Sequence, residues 1–280
     1  MSKILHCVHF GPLTRTVEDA ALYLDLTCGY HPSDPFSLPK PSQSFLALLR
    51  QQGRPQGKGK GGALKIGFSA DLGYVSGCQQ DILRLARRAL LVLGELGHEV
   101  VGDCGLELPD LGISWALGMG AQTYMALSEV TSGREALLEK ELVAGWNLLK
   151  NLSVDELGDI MRDLFRLNKK LEAFFAEYDV LVTPAMGIDA FEAAGPMTIS
   201  VEGQALDSPV HAVGYNYPFN FSGHPACVLR SGFTDAGLPA AVQFICERQK
   251  DGLLLQLAKQ FQDKTGTFQT WPTLPTSSKL

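Results

Sequence analysis

Ser37-Leu38-Pro39-Lys40 has the S-x-x-K spacing of an acylating serine beside a lysine base. That pair works only where a helix sets both side chains on one face, and Pro39, with Pro35 and Pro41 around it, opposes a helix. Cys227 stands three residues after His224, the residue types of a thiolate and its imidazole base. A cysteine inside an apolar strand is more commonly a small core side chain, so this pair is not taken as catalytic. His211 and His224 would need a third ligand to hold a metal, and none stands near them in the sequence. The Gly/Lys stretch from Gly53 to Gly62 lacks the four-residue gap and the Ser or Thr of a phosphate-cradling loop, because Gly59 follows Lys58. The residues alone therefore predict no metal and no cofactor.

The elements that would position such groups follow from composition and periodicity. A chain of 280 residues, 45% hydrophobic and 19% charged, can bury a sizeable core, and it is read as one domain over 1–280. No apolar run reaches the roughly 18 residues of a membrane-spanning helix. The 24 basic and 30 acidic side chains alternate to a net charge of −6, which offers no concentrated positive field for nucleic acid. The cysteines at 7, 28, 78, 104, 227 and 246 are scattered and the start lacks a secretory pattern, which fits a reducing compartment. The final Ser278-Lys279-Leu280 is the address read by the peroxisomal import receptor, set in a flexible tail at 270–280. Peroxisomal localisation is the expectation.

Helical spacing of Val17, Ala20, Ala21, Leu24 and Cys28 predicts a helix over 16–28, capped by Thr16 and stopped at Gly29. A Pro-rich loop follows, and the Gly/Lys stretch, too poor in apolar residues to pack, is expected to be a flexible connection over about 51–62. Strand, helix and strand at 64–68, 81–96 and 98–101 make a βαβ unit. Helices are expected over 109–130, 134–149 and 154–178, the last opened by a Ser153/Glu156 capping box. Val180 to Pro184, Ala226 to Leu229 and Ala240 to Ile245 read as strands, and 251–261 as a closing helix.

Several segments carry a further signal. Tyr217-Pro218-Phe219-Asn220-Phe221-Ser222-Gly223-His224-Pro225-Ala226 is followed by Gly232-Phe233-Thr234-Asp235-Ala236-Gly237-Leu238-Pro239 and Gln243. Before them stand Gly11 to Ala21, Lys65 to Ser69 and Tyr178 to Pro184. Together these resemble, in order and spacing, the C-terminal part of the amidase signature family. The resemblance implies an α/β fold with a mixed β-sheet flanked by helices, an incomplete amidase-signature fold in these residues. It implies hydrolysis of carbon–nitrogen bonds of small amides by a Ser–Ser–Lys mechanism, in which a neutral lysine draws the proton of the nucleophile through a bridging serine. Met186, Tyr217, Phe219, Asn220 and His224 fall where the family's loops approach the substrate.

The family's Gly/Ser-rich segment and catalytic lysine lie N-terminal to the position of Gly11, so the resemblance supplies no catalytic residue here. These 280 residues are accordingly expected to be inactive alone, with a truncated gene model as the simplest cause. An exposed sheet edge and uncovered apolar surface are expected, favouring a partner chain or a homodimer. One alternative is a non-enzymatic binding or complementing chain. A lower one is the glutaminase component of a transfer-RNA-dependent amidotransferase, whose usual Arg-x-x-x-Gly segment has no counterpart between Glu141 and Ser153. Leu229-Arg230 and Cys246-Glu247 depart from the family's usual Val-Pro pair and glycine. Arg230, in an apolar strand, needs a partner or an open edge.

Overall fold

Thr16 opens the first helix as its composition predicts: its hydroxyl accepts from the Asp19 amide at 3.1 Å, and helix α1 (Val17–Thr27) buries Val17 and Ala21. The computed structural model describes residues 7, 9–34, 36–51, 53–150, 152–192, 200–207 and 209–267. Ser278, Lys279 and Leu280, where targeting is expected, lie outside the described residues. Helix α2 (Phe45–Leu49) has no periodicity to announce it. Five residues do not nucleate a helix alone, and here the Asp25 carboxylate of α1 caps them, accepting from the Phe45 and Leu46 amides at 2.7 and 3.1 Å.

Strand β1 (Lys65–Phe68), helix α3 (Gln80–Glu95) and strand β2 (Glu99–Val101) form the expected βαβ unit, with β1 and β2 parallel. Helices α4 (Gly112–Thr131), α5 (Lys140–Leu149) and α6 (Val154–Glu177) follow. Both halves of the Ser153/Glu156 capping box are formed at the start of α6. Strand β3 (Val180–Pro184) pairs parallel with β1. A small hairpin, β4 (Ser200–Val201) with β5 (Gln204–Ala205), and helix α7 (Tyr217–Ser222) precede the antiparallel pair β6 (Ala226–Phe233) and β7 (Pro239–Cys246), and α8 (Asp251–Thr265) closes the fold. No helix among the described residues is long and apolar enough to cross a membrane.

The order β2-β1-β3-β7-β6, parallel in its first three strands and antiparallel afterwards, is a mixed sheet. Successive side chains on a strand point to opposite faces, and the core divides accordingly. Val180, Val182, Phe244 and Cys246 join α1, α3 and α8 in one apolar cluster. Leu181 and Ile245 face the other way, into a cluster built with α6 and α7. This is the expected fold class, a mixed sheet with helices on both faces.

Two segments hold contacts that the sequence does not announce. In the Gly/Lys stretch Asp179 Oδ2 accepts from the Lys58 and Lys65 amides at 2.7 and 2.8 Å, the Gly57 and Gly59 amides reach the Gly62 and Ala63 carbonyls, and Lys58 Nζ meets the Phe175 and Tyr178 carbonyls. Composition misses this because the partner carboxylate arrives from 121 residues away. Strand β6 continues past Leu229 to Phe233 through a register shift between Arg230 and Gly232. Arg230 finds both things it needs there, for its guanidinium donates to the Thr267 carbonyl and lies 4.7 Å from the centre of the Phe233 ring, on a strand with no partner on its outer side among the described residues.

Candidate functional site

The open side of β6 is where a cleft forms. About 830 Å³ of space lies between this edge, the segment 9–16 and the end of α7. A side-chain amide ties the segment to α8: Gln262, buried there, accepts from the Val17 amide at 3.0 Å and donates to the Arg15 carbonyl at 3.1 Å. Phe10, Leu13 and Val228, each more than half exposed, give the cleft an apolar side. Asn220, His224 and Arg248 give it a polar side.

That polar side is set by how α7 begins and ends. Pro218 stands in the first turn, where its missing N–H removes no hydrogen bond, and Gly223 ends the helix at φ 74°, a left-handed backbone that suits glycine. The turn delivers His224 beneath the cleft. Its ring lies 5.2 Å from that of Phe175 and nearly parallel to it, and Nδ1 hydrogen-bonds Ser222 Oγ at 2.8 Å. Nε2 is buried with no protein partner. Burial, then the positive charge of Arg248, pushes the pKa of His224 down to about 4, so the ring is neutral near pH 7. Arg248 is itself held by Asn168 Oδ1 at 3.0 Å, the Ser222 carbonyl at 3.2 Å and the Glu172 carboxylate.

The Cys227 thiol takes no part with this ring, and burial pushes its pKa up to about 12, the property of an inert core thiol. Ser37 is bound into its own turn, donating to the Asp34 carbonyl at 2.7 Å. Of the residues expected at the substrate, Asn220 and His224 reach the cleft. Tyr217 and Phe219 do not; both are buried in the cluster under α4 and α6, Tyr217 stacked on Trp115 with 5.7 Å between ring centres. Met186, half-buried just past β3, accepts from Asn216 Nδ2 through its sulfur at 3.2 Å.

Sequence reasoning missed a second polar group. Asp110 Oδ1 accepts from Tyr217 Oη at 2.7 Å and from the Gly112 amide at 3.1 Å, while Oδ2 lies 2.9 Å from His211 Nε2. Burial raises this carboxyl's pKa, but the hydrogen bonds from His211, Tyr217 and the Gly112 amide outweigh it and hold the group below the ordinary carboxylate value. His211 Nδ1 lies 3.0 Å from Ser76 Oγ. His211 and His224 thus have separate partners, and among the described residues no group of three or more His, Cys, Asp or Glu stands where it would hold a metal ion. No motif search finds Ser76, Asp110 and His211, since 101 and 135 residues separate the bonded pairs.

The sequence model of the amidase family matches residues 2–255. An acylamidase of Rhodococcus erythropolis is 25% identical over 266 residues, which are 93% of this chain and 53% of that protein. A glutamyl-tRNA(Gln) amidotransferase component of a Picosynechococcus strain is 26% identical over 307 residues, 94% of this chain and 57% of that one. The crystal structure of a bacterial aryl acylamidase of the amidase signature family superposes with a TM-score of 0.77 at 24% identity, covering 92% of this chain and 54% of the other. The chain spans about half the length of the curated relatives it matches.

Proposed function

Because the chain belongs to the amidase signature family, we propose that it supplies one wall of a site that hydrolyses carbon–nitrogen bonds of small linear amides, with Asn220 and His224 facing the substrate. The observation that carries this is the cleft on the open edge of β6, with an apolar side for the acyl part and polar groups opposite. Asn220 carries both a donor and an acceptor for an amide group. His224, kept neutral by its surroundings, adds no charge that a neutral amide would leave unpaired.

The chemical step in this family runs through a serine whose proton passes to a neutral lysine. Here the lysines with fixed partners hold other groups: Lys58 the Phe175 and Tyr178 carbonyls, Lys65 the Glu177 carboxylate, Lys259 Glu18 and Asp263, Lys264 Glu95. We propose that the 280 residues on their own bind amides and leave them intact. Purified protein offered a panel of aryl and alkyl amides should show binding by calorimetry, weakened by Asn220→Ala, with no product. Amide turnover abolished by one Ser or Cys substitution overturns the inactive half of the proposal, and binding indifferent to Asn220→Ala overturns the other.

The edge of β6, which has no partner strand among the described residues, favours a second reading, a complementing chain that adds strands there and brings the serine and lysine with it. Mixing with the Gly/Ser-rich half of an amidase signature enzyme distinguishes the two, since only the complementing reading yields amide hydrolysis. We propose also that Ser278-Lys279-Leu280 directs import into peroxisomes. A fusion that leaves Leu280 free should be punctate, and a signal as diffuse as that of a fusion lacking those three residues ends the proposal.

A further inference from the structure

We propose that Ser76, His211 and Asp110 form a second nucleophilic site, separate from the cleft, that takes the acyl group of an activated ester. Three observations carry it: the hydrogen-bonded order of the groups, their graded exposure and their place on the sheet.

The hydrogen bonds fix the protons. An ionised Asp110 only accepts, so His211 Nε2, 2.9 Å away, must donate to it. In the neutral ring that leaves Nδ1 as the acceptor, and the Ser76 hydroxyl, 3.0 Å away, must donate to Nδ1. This is the arrangement of a serine nucleophile, its base and the carboxylate that holds the base in one tautomer, recognised by roles rather than by which ring nitrogen serves each role. Asp110 cannot turn away, because Tyr217 and the Gly112 amide hold Oδ1.

Exposure is graded in the way such chemistry requires. His211 is 4% exposed and packs near Tyr74, whereas Ser76 is exposed and open to reagents. Position agrees. Ser76 lies in the loop that leaves β1, and this loop is tied to the carboxyl end of β3 by the Ser69 amide on the Val182 carbonyl and the Gln79 amide on the Gly187 carbonyl. The strand order β2-β1-β3 reverses at this pair, and open α/β sheets bind ligands at the carboxyl ends of strands at such a reversal.

In the reaction, Ser76 Oγ bonds to the ester carbonyl carbon while its proton passes to His211 Nδ1. The Asp207 amide, 3.1 Å from Oγ, is the donor available to the oxyanion. Collapse breaks the bond to the leaving oxygen, which takes the proton from Nδ1, and water then attacks the acyl-serine by the same steps to release the acid. One oxyanion donor on an open surface suits a good leaving group, such as a nitrophenoxide, rather than an amine.

The test uses the purified 280-residue protein, a fluorophosphonate probe and 4-nitrophenyl acetate. One label per chain is expected on Ser76 by peptide mapping, with nitrophenoxide release that Ser76→Ala abolishes and Ser37→Ala leaves unchanged. His211→Gln should slow labelling by roughly 10²–10⁴-fold, the contribution of a positioned base. Should that buried substitution unfold the protein, Asp110→Asn carries the same test, with an expected loss of at least about tenfold measured at a temperature where the variant is folded. No label on Ser76, or labelling whose rate the base and carboxylate substitutions leave unaltered, overturns the proposal. Since amide binding is read separately at Asn220, failure here does not bear on the cleft.

Discussion

Acid should destabilise this protein through one ring more than through any other single group beside the cleft. His224 is 5% exposed, and burial, followed by Arg248, holds its pKa at about 4 against an ordinary 6.5. In the unfolded chain the ring takes up a proton near the ordinary value, while in the folded protein it stays neutral down to the lower one. Between the two the unfolded state binds more protons, so the contribution of His224 is fully present above the upper value and is lost as the pH falls. At about 1.4 kcal/mol per unit the whole interval corresponds to roughly 3 kcal/mol, of which about 2 kcal/mol is lost by about pH 5. His98, whose pKa is lowered by burial and then by Arg54 against its bond to Gln260, acts in the same sense. Asp251, raised by burial, acts in the opposite sense. These groups make the total pH profile ambiguous, so the informative quantity is the difference between the protein and His224→Gln. Urea denaturation at intervals from neutrality to about pH 5 should show the variant weaker at every pH through lost ring packing. Its stability should nevertheless fall by about 2 kcal/mol less across the interval. Parallel profiles would refute the assignment of a neutral, buried ring.

Gln262→Ala removes two hydrogen bonds that tie the segment fronting the cleft to α8, one from the Val17 amide and one to the Arg15 carbonyl. The expected loss is about 2–3 kcal/mol in denaturant unfolding, with faster proteolytic cleavage between residues 9 and 16. Two glycines should respond with opposite signs. A Cβ on Gly57 would stand 2.8 Å from Leu64 Cα and against Asp179 Oδ2, so Gly57→Ala should lower stability by about 1–3 kcal/mol. Gly94 is an exposed position of α3 with nothing within 4 Å of an added Cβ, and Gly94→Ala should raise stability by about 0.5–1 kcal/mol. Melting curves of the two variants check both signs.

The sequence foretold best those elements whose cause is local. The α6 helix carries its own capping box and its own apolar stripe, and β3 is a short apolar run ended by a proline; both appear at nearly the expected boundaries. Elements that depend on a distant side chain were not legible. Helix α2 exists because Asp25 reaches its amides, and the Gly/Lys stretch is bonded to Asp179. Asp179 leaves no trace in the Gly/Lys stretch, whose composition alone describes a loop, and the run 45–49 announces itself only through its Ser44 cap and helix-forming residues, too few to form a helix alone. The same holds for the polar group around His211, where each partner comes from a different part of the chain.

The divided fate of the expected pocket residues has a different origin, because there only part of the necessary signal was present. The resemblance sets Tyr217, Phe219 and Asn220 together in a substrate-facing segment, although Pro218 at the start and Gly223 at the end are helix punctuation. On a helix, residues four apart share a face and adjacent residues point about 100° apart. Tyr217 and Phe221 fall together on one side, but Phe219 points almost opposite to Tyr217 and is buried too, so α7 is enclosed nearly all round and Asn220 alone of its six residues is left partly open, at the cleft. The stop at Gly223 releases the chain in a left-handed turn just before His224, which can therefore approach the cleft from below rather than continue the helix. Reading those six residues as a helix does not by itself separate the rings from Asn220, because Asn220 lies three residues on from Tyr217, near the same side; what buries the rings is the packing of α7 under α4 and α6. Asn220, the one residue of α7 that is not buried, is therefore the position whose substitution should alter ligand binding while leaving the core packed.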